Sequence, residues 1–302
     1  MMRLGVSTVL FAVAVTCSFP VSLSGHRGEI VYPFSEISDA ELALLDLFDG
    51  SVEDWRRVMG PPTLTARRDF YGEDGLYFDH NLGGRLLDPV DADWEVWFAW
   101  NETRQQLFIT MELIDDDFQS TFAGGIFLGA WRNDYMGFVV DGDHSGGQFF
   151  FWRSEDADKP LHVTAQHYQA TPDAPDGIDV GMGGFPSLHW AHRPPFADGQ
   201  VTVNVGGPTV YEFSVTAFDS LVYDSPGESI VSQLRPGGVI GFHFEFTDHD
   251  AGQPQLTFVL GPGFGGTNAD DMKDAILLPH AQRTDVAPSA WGDVKLSPQD
   301  RR

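Results

Sequence analysis

The chain has 302 residues, of which 18 are basic and 44 are acidic, so its net charge is −26. A surface with this charge repels nucleic acid and anionic membranes, and it remains compatible with divalent cations and neutral polymers. Aromatic residues make up 13% of the chain, and glycine and proline are frequent. This composition favours many strands joined by turns.

The first 24 residues are predicted to be a secretory signal peptide. Arg3 precedes an apolar stretch at 4–15, and small residues precede a cleavage point at Gly25. Cleavage would remove Cys17, the only cysteine of the chain, and with it any disulfide or cysteine-ligated zinc. We expect a secreted, periplasmic or cell-surface protein with no membrane insertion after cleavage. The alternative is a leader that is retained as an anchor.

Residues 25–45 are predicted to be a lead-in to one main domain at 46–302. Ser38 and Glu41 have the spacing of a capping box, which predicts a short helix. In the main domain, period-two alternation of apolar residues predicts about ten strands with long loops and little helix. The predicted strands lie at 94–100, 107–114, 135–140, 148–152, 161–168, 201–205, 211–216, 239–246, 256–260 and 294–296.

The first two of these strands are predicted to pair as a hairpin, and so are 135–140 and 148–152 across an acidic loop. In 107–114 and 239–246, alternate residues are apolar, which is typical of strands with one face in a core. The predicted fold class is therefore all-β, with an antiparallel β-sandwich architecture.

Three predicted strands end in acidic groups, at 115–117, 141–143 and 248–250. Asp141, Asp143 and Ser145 match the first half of a calcium loop, and alternating acids can place several oxygens around this hard cation. Trp152 occupies the position of the bidentate glutamate of an EF-hand, so that motif is excluded. The alternative is a turn whose side chains bind their own backbone. Strand order decides which acidic loops meet.

Carbohydrate binding is a second prediction from the loops. Trp131 and Trp190 lie outside the predicted strands and beside polar residues, and indole rings stack on the apolar faces of sugars. Asn133 and Asp134 follow Trp131 and Arg132 and carry groups that bind sugar hydroxyls.

The order of several motifs resembles the family 9 carbohydrate-binding modules and their relatives in secreted bacterial proteins. The motifs are Asp49-Gly50 with Trp55, the strand at 94–100 that ends in Trp, Leu107–Ile109 with the acids at 115–117, Phe138–Asp143, Tyr211–Phe213, and Gly241–Phe246 with the acids at 248–250. The resemblance covers about residues 46–296 and implies a β-sandwich that binds a polysaccharide or oligosaccharide. Residues 58–93 and 153–200 are longer than in a minimal module of this kind.

We therefore expect a secreted, non-catalytic carbohydrate-binding-type module that calcium stabilises. A structural or cell-surface interaction domain on the same fold is one alternative, and a glycosidase is another. A haem-binding relative with Met182 and His189 as ligands is a third. The chain contains no G-x-S-x-G, H-E-x-x-H or P-loop motif, so the sequence favours no enzyme class.

Overall fold

The computed structural model describes residues 31–69, 88, 90–122, 127–149, 164–172, 174, 177–186, 188–251, 256–260 and 266–285. The predicted signal peptide, the predicted strand at 294–296 and most of the one at 148–152 lie outside these ranges. In the part that is described, no helix is long and apolar enough to cross a membrane.

Strands dominate the described residues. In chain order they are β1 (Val31–Glu36), β2 (Leu64–Thr65), β3 (Ala92–Asn101), β4 (Gln106–Asp115), β5 (Tyr135–Asp141), β6 (Gln166–Ala170), β7 (Val180–Met182), β8 (Ala197–Val203), β9 (Thr209–Val215), β10 (Phe218–Ser220), β11 (Ile230–Val231), β12 (Val239–Asp248), β13 (Leu256–Val259) and β14 (Lys273–Leu278).

The helices are short. The α-helices are α1 (Asp39–Leu42), α2 (Glu53–Met59) and α3 (Ala66–Asp69), and 3₁₀ turns lie at Phe127–Arg132, Trp190–His192, Pro226–Glu228, Ala269–Asp271 and His280–Asp285. The predicted capping box is confirmed, because the Ser38 and Glu41 side chains each bind the backbone of the other.

Ten strands follow one hydrogen-bonded path in the order β7-β6-β5-β12-β14-β1-β3-β4-β9-β8, with β13 beside β12 and β2 beside β3. The sheet folds over so that the two ends of this path meet. Asp179, directly before β7, donates its N–H to the carbonyl of Gly199 in β8, and its carboxylate accepts from the N–H of Val201; both distances are 2.9 Å. The result is a sandwich that is nearly closed along one edge.

The main core lies between the two halves of the folded sheet. Phe34 of β1 stacks on Phe98 of β3 with 4.9 Å between ring centroids, and Phe242 of β12 contacts both rings at 5.0 and 5.3 Å. Alternate residues of β4 and β12 enter this core, as their period-two pattern predicts.

The predicted all-β sandwich with little helix is confirmed, and so is the hairpin of β3 and β4. The predicted pairing of 135–140 with 148–152 is wrong, because β5 lies between β6 and β12. The sheet is also not purely antiparallel. β1, from the predicted lead-in, lies between β14 and β3 and is parallel to both. Whether a strand is parallel or antiparallel to its neighbours depends on the path of the chain between them. Period-two alternation within the strand carries no information about that path.

Candidate cation and ligand site at one end of the sandwich

Six aspartates gather at one end of the sandwich. β3 begins where β4 ends, since Ala92 is opposite Asp115, and β5 begins where β12 ends, since Tyr135 is opposite Thr247. Carboxylates from all four strand ends lie close together in the folded sheet. The acidic cluster consists of two groups of three aspartates, and within each group the carboxylate oxygens lie within 4.8 Å of one another. The groups are Asp91 with Asp116 and Asp250, and Asp115 with Asp134 and Asp248.

Backbone amides hold part of the acidic cluster in place. The Asp134 carboxylate is buried and accepts from the N–H groups of Gln119 and His249. The Oδ1 atom of Asp115 accepts from the N–H of Asp117 at 2.9 Å. Its Oδ2 atom is buried and accepts no hydrogen bond from the residues that the structure describes.

Burial and mutual repulsion make it costly to ionise the whole cluster. Burial raises the pKa of Asp115 to about 6, and the carboxylates of Asp250, Asp116 and Asp91 add to the effect. Burial also raises the pKa of Asp134 to about 9, with Asp115 and Asp248 adding and the two amides opposing. A bound cation would remove this penalty, because it favours the ionised carboxylates.

The donor set fits a hard cation. All six side chains offer carboxylate oxygens, which calcium prefers and binds in sets of six to eight, whereas zinc is usually held by histidine or cysteine. The buried Oδ2 atom of Asp115 supplies an acceptor with unused capacity. Calcium is therefore the ion that these residues would hold best.

The predicted calcium residues lie elsewhere. Asp141 ends β5 and is opposite Gly241 at the start of β12, about 20 Å along the strand from the acidic cluster. Its carboxylate accepts from the N–H groups of Ser145 at 3.3 Å and Gly146 at 2.7 Å, and the exposed Asp143 also accepts from Ser145 at 3.2 Å. Burial and a hydrogen bond with Asp141 raise the pKa of Asp143. The turn therefore has the geometry of the alternative, in which the side chains bind their own backbone. Calcium binding at this turn stays a prediction.

A groove of about 520 Å³ adjoins the acidic cluster. One wall is formed by the end of β4 and the residues that follow it, from Ile114 to Phe118, and the other by 203–209, which include the turn between β8 and β9. Ile114 is 58% exposed and Val205 is fully exposed, so the groove presents apolar surface to solvent. Asp115 and Asp116 belong to both the groove and the acidic cluster.

Sequence reasoning missed this groove. The strand predicted at 201–205 ends at Val203, so Val205 lies in the turn instead of the sheet. The signal in the sequence was the Gly206-Gly207-Pro208 run directly after an apolar residue, which is typical of an exposed turn.

The side chains predicted to bind sugar near Trp131 differ in their exposure to solvent. Trp131 is 37% exposed, and the guanidinium of Arg132 lies 5.2 Å from its ring centroid. Asn133 is buried, and its Oδ1 atom accepts from the N–H of Thr121 at 2.6 Å. Asp134 belongs to the acidic cluster. Of the three, only Trp131 presents its side chain to solvent.

Trp190 packs against the core. Its indole N–H donates to the carbonyl of Tyr223 at 2.7 Å, and its ring contacts those of Phe196 and Phe218 at 5.2 and 5.8 Å. The structure therefore does not bring Trp190 and Trp131 to one described groove. Sugar binding by Trp131, Trp190, Asn133 and Asp134 stays a prediction.

The residues of the haem alternative are engaged with their neighbours. Met182 is buried in the core, and its N–H donates to the Nδ1 atom of His192 at 2.8 Å. Nδ1 of His189 accepts from Ala191, and its Nε2 atom lies 2.9 Å from the carbonyl of Tyr223. Both ring nitrogens of His189 are thus occupied by backbone groups.

A second buried carboxylate has a different environment. Glu245 of β12 faces away from the main core, and its side chain crosses β5 above Gly137, where a Cβ atom would lie 2.5 Å from its Cγ atom. Its Oε1 atom accepts from the hydroxyl of Tyr135 and lies 3.0 Å from Nε2 of His167. Its Oε2 atom lies 3.4 Å from Nε2 of His243. These four residues, Tyr135, His167, His243 and Glu245, are called the paired cluster.

The histidines reverse the effect of burial on Glu245. Burial alone would raise the pKa of this carboxyl, but His167 and His243 lower it well below its usual range. The paired cluster therefore supplies its carboxylate with three partners from the protein itself. The sequence contained a hint of it, since His243 and Glu245 alternate with the core phenylalanines of β12.

Comparisons with known proteins give structural matches alone. No family model matches the chain, and no curated protein matches it. A family 9 carbohydrate-binding module from Caldicellulosiruptor kristjanssonii in complex with cellotriose is similar, with 11% identity, a TM-score of 0.48, and coverage of 88% of this chain and 99% of that chain.

Two further solved structures are similar. One is a family 9 module from the same organism in complex with glucose, with 10% identity, a TM-score of 0.44, and coverage of 67% of this chain and 84% of that one. The other is a candidate carbohydrate-binding protein from Bacteroides uniformis, with 9% identity, a TM-score of 0.36, and coverage of 67% and 85%.

Proposed function

We propose that the protein is a secreted, non-catalytic carbohydrate-binding-type module that binds a neutral sugar in the groove and calcium in the acidic cluster. One observation carries the proposal. The groove and the acidic cluster lie at the same end of the sandwich and share Asp115 and Asp116. Secretion is proposed from the leader at 1–24.

The groove has the size and chemistry for a sugar. A volume of about 520 Å³ lies within the range of small-molecule sites. Ile114, Val203 and Val205 offer apolar surface for the C–H groups of a sugar ring, and the nearby carboxylates accept hydrogen bonds from its hydroxyls. The same carboxylates and the net charge of −26 disfavour an anionic ligand, so a neutral glycan fits best.

Calcium in the acidic cluster would tie together four loops. Its ligands come from the beginnings of β3 and β5 and from the ends of β4 and β12. The ion would therefore order one wall of the groove, where Asp115 and Asp116 lie. No catalytic residue is assigned.

The test begins with a glycan array in the presence of calcium, followed by calorimetry with any glycan that binds. Glucose and cellotriose are the first probes, since similar structures contain them. The variant Ile114→Ser/Val205→Ser removes apolar groove surface without a change of charge. The matched control Val90→Ser/Leu188→Ser changes two side chains that are also largely exposed, at 77% and 73%, and lie outside the groove.

We expect the groove variant to bind the glycan about tenfold more weakly, which corresponds to about 1.4 kcal/mol, and the control to bind as the wild type does. Failure of every glycan to bind would overturn the carbohydrate assignment. Loss of binding in Trp131→Ala, with the groove variant unaffected, would instead place the sugar on the Trp131 ring.

A further inference from the structure

We propose that Glu212 is a positioning residue for the groove, which holds the groove wall through Gly50 and makes that wall pH-dependent. The effect on sugar affinity rests on the proposed function, whereas the positioning of the wall does not. Glu212 lies on β9, on the face of the sheet that α2 and the preceding turn cover.

A chain of hydrogen bonds links Glu212 to the groove. Its Oε2 atom accepts from the N–H of Gly50 at 3.1 Å. The carbonyl of Gly50 accepts from the side-chain amide of Asn204 at 3.3 Å, and the same amide donates to the carbonyl of Pro208 at 2.9 Å. Asn204 and Pro208 both line the groove. One glycine therefore joins a buried carboxyl to the turn that forms the groove wall.

The glycine is required at this position. Gly50 has a φ of +76°, and a Cβ atom there would lie 2.5 Å from Cγ2 of Thr202 on β8. Another residue would be strained and would push the turn away from β8.

The charges around Glu212 disfavour its ionised form. Asp49 and Asp54 face it from the covering segment, and Glu112 of β4 is paired with Arg56 of α2, which also contacts Glu95. On β8 its register partner is the neutral Gln200. Burial first, and then Asp49 and Asp54, raise the pKa of Glu212 to about 7, although the backbone amides of Gly50 and Phe48 oppose them.

The sign of the pH effect follows from this environment. While the turn at Gly50 is docked on β9, Glu212 keeps its proton to about pH 7. If the turn opens, water reaches the carboxyl and its pKa returns toward about 4.3. The docked form is therefore most stable relative to the open form below about pH 4.3, and this stability is lost as the pH rises through about 7. The groove wall should be better ordered at pH 5 than at pH 8.

The first measurement needs no sugar. In NMR spectra of the calcium-saturated protein, the backbone amide of Gly50 and the side-chain amide of Asn204 should shift together with a midpoint near pH 7. In Glu212→Gln both signals should stay constant from pH 5 to 8. Glu112→Gln removes a neighbouring carboxylate of the same face and should titrate like the wild type. Constant signals in the wild type would overturn the proposal, even if Glu212→Gln does not fold.

The second measurement uses cellotriose, or the tightest glycan from the array. With the acidic cluster saturated with calcium, wild type and Glu112→Gln should bind it about threefold or more weakly at pH 8 than at pH 5, and Glu212→Gln should bind equally at both. An identical pH profile in Glu212→Gln and wild type would overturn the coupling. Titrating amide signals in a protein that binds no glycan would support the positioning of the wall and overturn the carbohydrate assignment alone.

Discussion

The acidic cluster and the paired cluster bury carboxylates in the same sandwich by different means. In the acidic cluster, Asp134 faces other aspartates and two backbone amides, and burial raises its pKa to about 9. In the paired cluster, Glu245 faces two histidines and a tyrosine, and its pKa is lowered. A buried charge must be compensated, and Glu245 has histidine and tyrosine partners for this, whereas the aspartates of the acidic cluster face one another.

The position of each cluster explains the difference. The acidic cluster lies where strands end, so several loops contribute to it and solvent reaches its outer members, such as Asp116. The paired cluster lies within three neighbouring strands, β12, β5 and β6, whose register fixes each partner. The partners in the paired cluster are thus fixed by the strands, whereas the acidic cluster has an outer side that solvent reaches.

The largest expected effect is the loss of the paired carboxylate. Glu245→Ala leaves His167, His243 and Tyr135 without their common acceptor in the interior. We expect a loss of about 3–5 kcal/mol in the free energy of unfolding, measured by urea denaturation. The loss should be the same in calcium and in chelator, because the partners of Glu245 are protein side chains. A loss that calcium restores would contradict the comparison.

The next effect is that of calcium on the acidic cluster. At a calcium concentration about 100 times the dissociation constant, the wild type should gain about 2.7 kcal/mol, provided that the unfolded chain does not bind the ion. Thermal unfolding in calcium and in chelator measures the gain. Asp115→Ala/Asp248→Ala should abolish it, and Asp141→Ala/Asp143→Ala should keep it. The reverse pattern would place calcium at the turn after β5, as the sequence predicted.

A smaller effect is expected where Glu245 crosses β5. Gly137→Ala would place a Cβ atom 2.5 Å from Cγ and 2.6 Å from Oε1 of Glu245. Displacing this side chain should destabilise the protein by about 1–3 kcal/mol. Gly227→Ala, where a Cβ atom meets nothing within 4 Å, is the control and should unfold within about 0.5 kcal/mol of the wild type. Equal stability of the two variants would show that the path of Glu245 does not need the glycine.

The smallest effect concerns acid stability. Because the folded-state pKa of Glu245 is lowered, its contribution is present above the unfolded value of about 4.3 and is lost as the pH falls toward the folded value. In chelator, wild type should lose about 1 kcal/mol or more relative to Glu245→Gln between pH 5 and 3. If the difference in the free energy of unfolding between wild type and Glu245→Gln is the same at pH 5 and pH 3, His167 and His243 do not stabilise the carboxylate.

Much of the fold could be predicted because the relevant information is local. Alternation along 94–100 and 107–114 specified both strands and their hairpin, and the Ser38–Glu41 spacing specified a helix start. The partner of β5 could not be predicted this way. Its neighbours come from 166–170 and from 239–248, and the pairing of distant segments leaves no trace in the local pattern of either.

The same distinction between local pattern and tertiary contact applies to the candidate site. The sequence by itself determined that acidic loops follow strands at 115–117, 141–143 and 248–250, because the end of an alternating pattern marks the end of a strand. Only the tertiary structure decided which acids meet. Pairing of β5 with β12 places Asp134 near Asp248 and leaves Asp141 at the far end, since antiparallel neighbours place the end of one strand beside the start of the next. The folding of the sheet then brings Asp115 of β4 to them.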